Sequence, residues 1–400
     1  MIIKSKRIYM EDGCKSGYLE IENGVIKQFL PENSAVSADV DYGNDRIIPG
    51  IFDTHTHGGF GVSWNNKCTE EEGKLNLKGW ASCGVTAVFP TTTDLVGMAL
   101  VSKLADEVQD GAKIMGIHSE GPWGSRVGEK GVNLGYPKVD MEHAQRIWDA
   151  CNGKLKLIAI APEVEDAFKA AAFFKEKGVV ISAFHTNANY MEACLGYDNG
   201  FSVATHLGNV MTGLHHRDVG TMGAAILRDD VNCELICDCL HVCQQMLQIV
   251  MKLKDHDKIM MVSDSGSYLG APVGTYKGDF GVDNDSDRAK IHVTPEGFVL
   301  SDTGRLSGSS KPVIFGIKNL VERLGLPLED VVRMSSYNPH KKYGSIDKKG
   351  SIKVGKDADI VVISNDFDVL YTYSEGRLVF NHEVDKNIFN QKFVDELKLD

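Results

Sequence analysis

Asp53-Thr54-His55-Thr56-His57 follows the apolar run Ile51-Phe52 and precedes Gly58-Gly59. Side chains alternate along an extended segment, so His55 and His57 face the same side. Two imidazoles on one side of a strand end can chelate a divalent cation. Taken alone, they fit equally well as two histidines capping a strand at the surface. His185 and His206 each end a further apolar run, 21 residues apart, which suits neighbouring strands joined through a helix. Glu120 ends Ile117-His118-Ser119-Glu120. A carboxylate there can bridge two cations or complete a site begun by imidazoles. Asp264 ends a later run. For each residue by itself, a hydrogen-bonded polar group at a strand end is the plainer reading. Such groups at five strand ends point instead to a metal centre. Cys233, Cys237, Cys239 and Cys243 form a second cluster, with Cys237 and Cys239 on one strand face. Their spacing matches neither ferredoxin pattern. The run around them reads as a buried strand, where free cysteine is common.

The elements that must position these groups follow from periodicity. Short apolar runs at Thr86–Pro90, Ile114–His118, Leu157–Ala161, Val179–Ala183, Ser202–His206, Cys233–Asp238 and Ile259–Asp264 sit between amphipathic stretches. With the run before His55 they make eight, and strand–helix alternation of this kind predicts an α/β fold, a (β/α)₈ TIM barrel over 49–346. The polar residues stand at the C-terminal ends of the runs, where such a barrel carries its chemistry. The two ends of the chain differ from the middle. Residues 1–48 show strands broken at Asp12-Gly13 and Asn23-Gly24, and 347–382 repeats the style with Ile352, Ala358–Ile363 and Gly376–Phe380. This predicts a small β-sandwich domain built from both termini. Residues 383–400 read as a charged extension ending in a short amphipathic stretch.

Composition bounds the function. The chain has 400 residues, 42% apolar and 24% charged, which suits a soluble globular enzyme. A net charge of −12 argues against nucleic acid as a partner, although a few basic residues in a cleft can still hold one phosphate. No apolar run is long enough to span a membrane, and the N-terminus lacks a signal-peptide pattern. Nine scattered cysteines suit reduced thiols in a cytoplasmic protein.

The motifs Pro49–Gly59, His118-Ser119-Glu120-Gly121-Pro122-Trp123, His185-Thr186-Asn187-Ala188 and Thr205-His206-Leu207-Gly208-Asn209-Val210-Met211, followed by His241 and Asp264, resemble those of the N-acetylglucosamine-6-phosphate deacetylases of the amidohydrolase superfamily. The resemblance runs over about 1–382. It implies a zinc or iron cofactor, one or two ions per chain, held by Glu120, His185 and His206, with His55 and His57 able to hold a second. It implies Asp264 as the catalytic acid/base. Val132, Asn133, Asn209, Val210, Arg217, His241, Leu306, Ser307 and Gly308 become substrate contacts. The implied substrate is a phosphorylated amino sugar, and the implied assembly is a homodimer in which Arg217 reaches toward the neighbouring subunit's phosphate. The chain departs from the family pattern in three places. Asn133 replaces a histidine after Lys130-Gly131, Gly208 replaces a larger apolar residue, and Cys243 replaces a second histidine. The alternatives are a related amidohydrolase acting on N-acetylgalactosamine-6-phosphate or a cyclic amide, and an inactive barrel scaffold. Cyclic-amide enzymes often bridge their metals through a carbamylated lysine, whereas this chain has Glu120 in that slot. A scaffold should have lost ligands, and here every matched ligand is present.

Overall fold

The computed structural model describes residues 1–128, 131–132, 138–278 and 290–400. Both ends of the chain enter one eight-stranded sheet, in the order Arg377–Asn381, Val369–Ser374, Ile360–Ile363, Arg46–Pro49, Ile2–Met10, Gly13–Glu22 and Val25–Pro31, with Val40–Asp41 paired to Ile2–Met10. The hairpin turn at Asn23-Gly24 has φ of 52° and 80°, the left-handed pair that a tight two-residue loop requires. Val369–Ser374 is missing from the sequence reading, although its sequence, VLYTYS, is rich in strand-forming β-branched and aromatic residues. Ile3, Leu19, Ile26, Ile47, Ile360, Val362 and Tyr373 share one buried core. Residues from the two termini therefore depend on each other for burial.

The middle of the chain supplies parallel strands alternating with helices. Ile51–Thr56, Val85–Pro90 and Lys113–Ile114 form one parallel sheet. Ile117–Glu120, Leu155–Ile160, Val180–Ala183, Phe201–Ala204, Asn232–Ile236 and Ile259–Val262 form a second, curled one. Isolated parallel bridges, Thr91 to His118 and Thr56 to Ser265, join the two sheets at both seams. Inside the second seam, Asp53 Oδ1 accepts the backbone N–H groups of His55 and Ser263 at 3.2 Å each. Burial pushes the Asp53 carboxyl up to about 7. The helices begin where side chains can cap them: Thr69 and Asn189 make reciprocal capping boxes with Glu72 and Glu192. Among the described residues no helix is long and apolar enough to cross a membrane.

Two sequence expectations change in detail. Ile114–His118 is not one strand, because the chain steps from the first sheet to the second at Met115-Gly116. A side chain at 116 would overlap Lys156. Cys237 and Cys239 do not share a strand face: the strand ends at Ile236, and Cys239 has a left-handed φ of 61°. No metal-ligating group among the described residues contains a cysteine.

The C-terminal extension has a place in the packing. Its helix, Gln391–Leu397, lays Phe393 and Leu397 against a small core formed by Tyr268, Tyr276, Ile291, Val293 and Val299. Backbone bonds from Asn390 N–H to Phe60 and from Leu399 N–H to Thr275 tie it to the loops that follow Ile51–Thr56 and Ile259–Val262.

Gly50 joins the terminal sheet to the first parallel strand. Its N–H bonds the Asp359 carbonyl, and its own carbonyl accepts from Ser336. A Cβ at this position would overlap the Thr86 side chain. Gly50→Ala is expected to destabilise the protein by about 1–3 kcal/mol through overpacking, and adding Thr86→Ala should recover part of the loss. Denaturant unfolding of both variants checks this. A Gly50→Ala protein within about 0.5 kcal/mol of the parent would show that the close approach constrains nothing.

Candidate metal centre

Five of the parallel strands deliver, at their ends, the parts of a single cluster. His55 and His57 come from Ile51–Thr56 and the residue after it, and Glu120 from the last position of Ile117–Glu120. His185, His206 and Asp264 each stand two residues beyond a strand, after Ala183, Ala204 and Val262. All three have left-handed backbones, with φ of 37°, 32° and 49°. Such a conformation is costly for a residue with a side chain and is held only where surrounding contacts determine it. Here the turn swings each side chain from the strand end into the common centre.

Glu120 is the hub. Its Oε1 lies 2.8 Å from His206 Nε2, 3.5 Å from His185 Nε2 and 3.7 Å from His55 Nε2. Its Oε2 lies 2.9 Å from His57 Nε2. Asp264 Oδ1 is 3.4 Å from His55 Nε2 and 3.5 Å from His57 Nε2. Two ligand groups share Glu120, one with His185 and His206 and one with His55 and His57, and a third group, His55, His118 and Glu234, lies on the other side of His55.

The charges ask for a cation. Burial opposes the charge on Glu120, yet His55, His206 and His57 hold it well below the usual carboxylate range. Burial alone would push His55 down, but Asp264, Glu120 and Glu234 carry it well above the ordinary histidine range. His206 rises against burial because it bonds Glu120. Burial lowers His185 to about 4. The carboxylates thus favour positive charge on His55 and His206 in spite of burial. A divalent cation supplies the same charge, and the donor set fits one. The His55 and His57 Nε2 atoms lie 3.4 Å apart, and two nitrogens bound to one tetrahedral zinc lie about 3.3 Å apart.

The other residues singled out in the sequence divide into three groups. Near the cluster, the Asn209 amide donates to the His206 carbonyl at 3.0 Å, and Val210, at φ 49°, accepts from Thr186 N–H. His241 Nδ1 bonds Asp238 Oδ2 at 2.8 Å, and the same oxygen accepts from Ser309 at 3.0 Å. Leu306-Ser307-Gly308 runs against the Asp264 turn: Ser307 N–H bonds Val299, Ser309 N–H bonds the Asp264 carbonyl, and Gly308 has φ 73°. Arg217 stands apart on an exposed loop, its guanidinium Nε 3.1 Å from His216 Nε2. Val132 pairs by backbone with Arg126, and Asn133 lies outside the described residues.

The sequence assigns no site role to Glu234, Thr54 or His118, although His118 opens one of the motifs. Glu234 and His118 are fully buried within reach of His55. The signal was available: a glutamate inside the apolar run Cys233–Ile236 is out of place unless something pairs with it.

The chain matches the amidohydrolase family over residues 46–379. It is 30% identical to the N-acetylglucosamine-6-phosphate deacetylase of Lysinibacillus sphaericus, covering 90% of this chain and 92% of that one. It is 26% identical to the N-acetylgalactosamine-6-phosphate deacetylase of Escherichia coli O157:H7, over 94% and 98%. The crystal structure of the N-acetylglucosamine-6-phosphate deacetylase from Pasteurella multocida superposes with a TM-score of 0.83 at 26% identity, covering 94% of this chain and 99% of that one. A hub carboxylate ringed by imidazoles at parallel strand ends, together with these likenesses, establishes that the chain belongs to the amidohydrolase family and, within it, to the N-acetylglucosamine-6-phosphate deacetylases.

Proposed function

We propose that the chain hydrolyses the acetamide of N-acetylglucosamine-6-phosphate to glucosamine-6-phosphate and acetate. The observation that carries this reading is the convergence of Glu120, His55, His57, His185, His206 and Asp264 on one point. The strands that bring them there are read as a closed (β/α)₈ barrel spanning 49–346. Residues 1–48 and 347–382 form a companion unit whose sheet folds over its own core as a sandwich, and 383–400 is an extension. The bridges at both seams support closure, and the core shared between the termini supports the sandwich.

Glu120, His185 and His206 would hold one cation, and His55 and His57, with Glu120 shared, a second. Imidazole and carboxylate donors suit zinc or iron. When bound, the cation supplies Lewis acidity, polarising the acetamide carbonyl and making water a nucleophile near neutral pH. Asp264, 3.4–3.5 Å from the first-strand imidazoles, takes the proton of the attacking water and returns it to the departing amine. Asp238 fixes the His241 ring through Nδ1, which leaves Nε2 for the substrate. Asn209, Val210 and Leu306-Ser307-Gly308 line the sugar's place around the cluster, and family likeness assigns Val132 and Asn133 to the same substrate.

Arg217 is assigned to the 6-phosphate, whose geometry suits a guanidinium fork. Its exposed loop borders an apolar groove lined by Leu214, Val219, Ile226, Leu227 and Leu253, with Leu227 and Leu253 more than half exposed. An apolar surface of this kind supports a homodimer, in which Arg217 reaches the partner's substrate. All nine cysteines are free, which fits a reducing, cytoplasmic setting.

On a panel of N-acetylated sugars, kcat/KM is expected to be highest for N-acetylglucosamine-6-phosphate. Arg217→Ala should lower it roughly ten- to a hundredfold, as loss of a charge-assisted bond implies. Activity on unphosphorylated N-acetylglucosamine should barely change. Preference for the galacto epimer would transfer the assignment to the substrate named for the Escherichia coli relative. Equal losses on both sugar forms would remove the phosphate from the reading.

Asp264→Asn should keep the fold and the bound metal while kcat falls by about 10²–10⁴-fold, because an amide cannot accept the water's proton. Steady-state kinetics beside metal analysis checks this. A kcat within about threefold of the parent would exclude Asp264 as the base.

A further inference from the structure

Glu234 is a carboxylate with no exposed surface, on the strand Asn232–Ile236, which contributes no ligand to the metal centre. A buried carboxylate is costly unless it is paired and hydrogen-bonded. Its partners converge on the first strand. Thr54 Oγ donates to Oε1 at 2.8 Å, and His55 Nδ1 lies 3.3 Å from Oε2. Its backbone carbonyl accepts from Leu207 N–H at 2.7 Å, directly after His206. One residue thus holds the ring of His55 with its side chain and the turn carrying His206 with its main chain. His118 closes the remaining side of His55, the two rings meeting edge to face at 4.5 Å. Thr91 and the Thr54 carbonyl hold His118 in turn through Nδ1, at 3.3 and 3.2 Å.

We infer that Glu234 is a positioning residue for the cation site of His55 and His57. Accepting the Nδ1 proton fixes His55 in the tautomer whose Nε2 lone pair faces His57, Glu120 and Asp264. A carboxylate behind the ring also raises the basicity of the ligating nitrogen. The Thr54 hydroxyl keeps the carboxylate from turning away. The inference rests on the reading of His55 and His57 as ligands of a second cation, so its test separates the two.

The experiment compares the parent protein with His55→Ala, Glu234→Gln and Glu234→Ala. Each is stripped with chelator and titrated with Co²⁺, reading the visible absorption of each equivalent bound, alongside the thermal midpoint of the ion-free protein. Glu234→Gln keeps the volume and one acceptor oxygen, so it covers the case in which Glu234→Ala does not fold. The parent should bind two equivalents and His55→Ala one. Glu234→Gln should bind the second equivalent about 10- to 100-fold more weakly, as loss of such a carboxylate typically does, with an altered spectrum for that equivalent. The first equivalent should be unchanged. If His55→Ala loses the second equivalent while Glu234→Gln binds it as the parent does, with only the thermal midpoint moved, Glu234 serves packing alone and the inference is overturned. If His55→Ala still binds both, the two-cation reading falls, and the inference falls with it.

Discussion

The structure depends on keeping a carboxylate ionised where little water reaches it. Glu120 is only 11% exposed at a strand end, and an unpaired charge there would be costly. Four imidazoles drawn from three other strands answer that charge, and the backbone accommodates them. Three of the six converging residues, His185, His206 and Asp264, take left-handed conformations to point inward. Each turn is in turn fixed by bonds from a neighbouring strand or loop: Leu207 N–H to Glu234, Thr186 N–H to Val210, Ser309 N–H to Asp264. An arrangement that concentrates ligand nitrogens and carboxylates in this way has a cation as its natural counterpart.

Support for the centre extends well beyond the ligands. Asp238 ties His241 to Ser309, and so links the end of one strand to the segment lying on the Asp264 turn. The C-terminal helix, distant in sequence, packs Phe393 against Tyr268 and Tyr276 beyond the same turn. Its flanking residues bond the loop that follows His57. Loops carrying chemistry need a rigid frame, and here part of that frame comes from the last residues of the chain.

Much of this was legible in the residues. Apolar runs ending in His, Glu or Asp located the parallel strands and the end at which they gather. Asn23-Gly24 located a hairpin, and the style shared by the two termini suggested a β-sandwich domain, where strands of both ends enter one sheet. What escaped has physical causes. The break at Met115-Gly116 comes from the change of sheet partner, which local pattern does not carry. Cys237 and Cys239 continue an apolar run in sequence, but the strand has already ended. The left-handed turns at His185, His206 and Asp264 are held by tertiary contacts, and although His and Asp tolerate this conformation better than most residues, their type alone does not call for it. Glu234 and His118 were visible as polar residues in or beside apolar runs, yet only their approach to His55 gives them meaning. Arg217 is the reverse case: its assignment rests on family likeness, and its side chain stands on an exposed loop.

If hydrolysis runs at this centre, its strand-end side chains hold a cation. The most direct measurement is anomalous diffraction, above and below the absorption edge of the bound metal, from crystals of protein that deacetylates its substrate. The expected result is a peak within coordination distance, about 2.0–2.2 Å, of Glu120, His185 and His206, with any second peak beside His55 and His57. An active preparation whose crystals carry no anomalous peak at this cluster, or carry one only elsewhere, would contradict it.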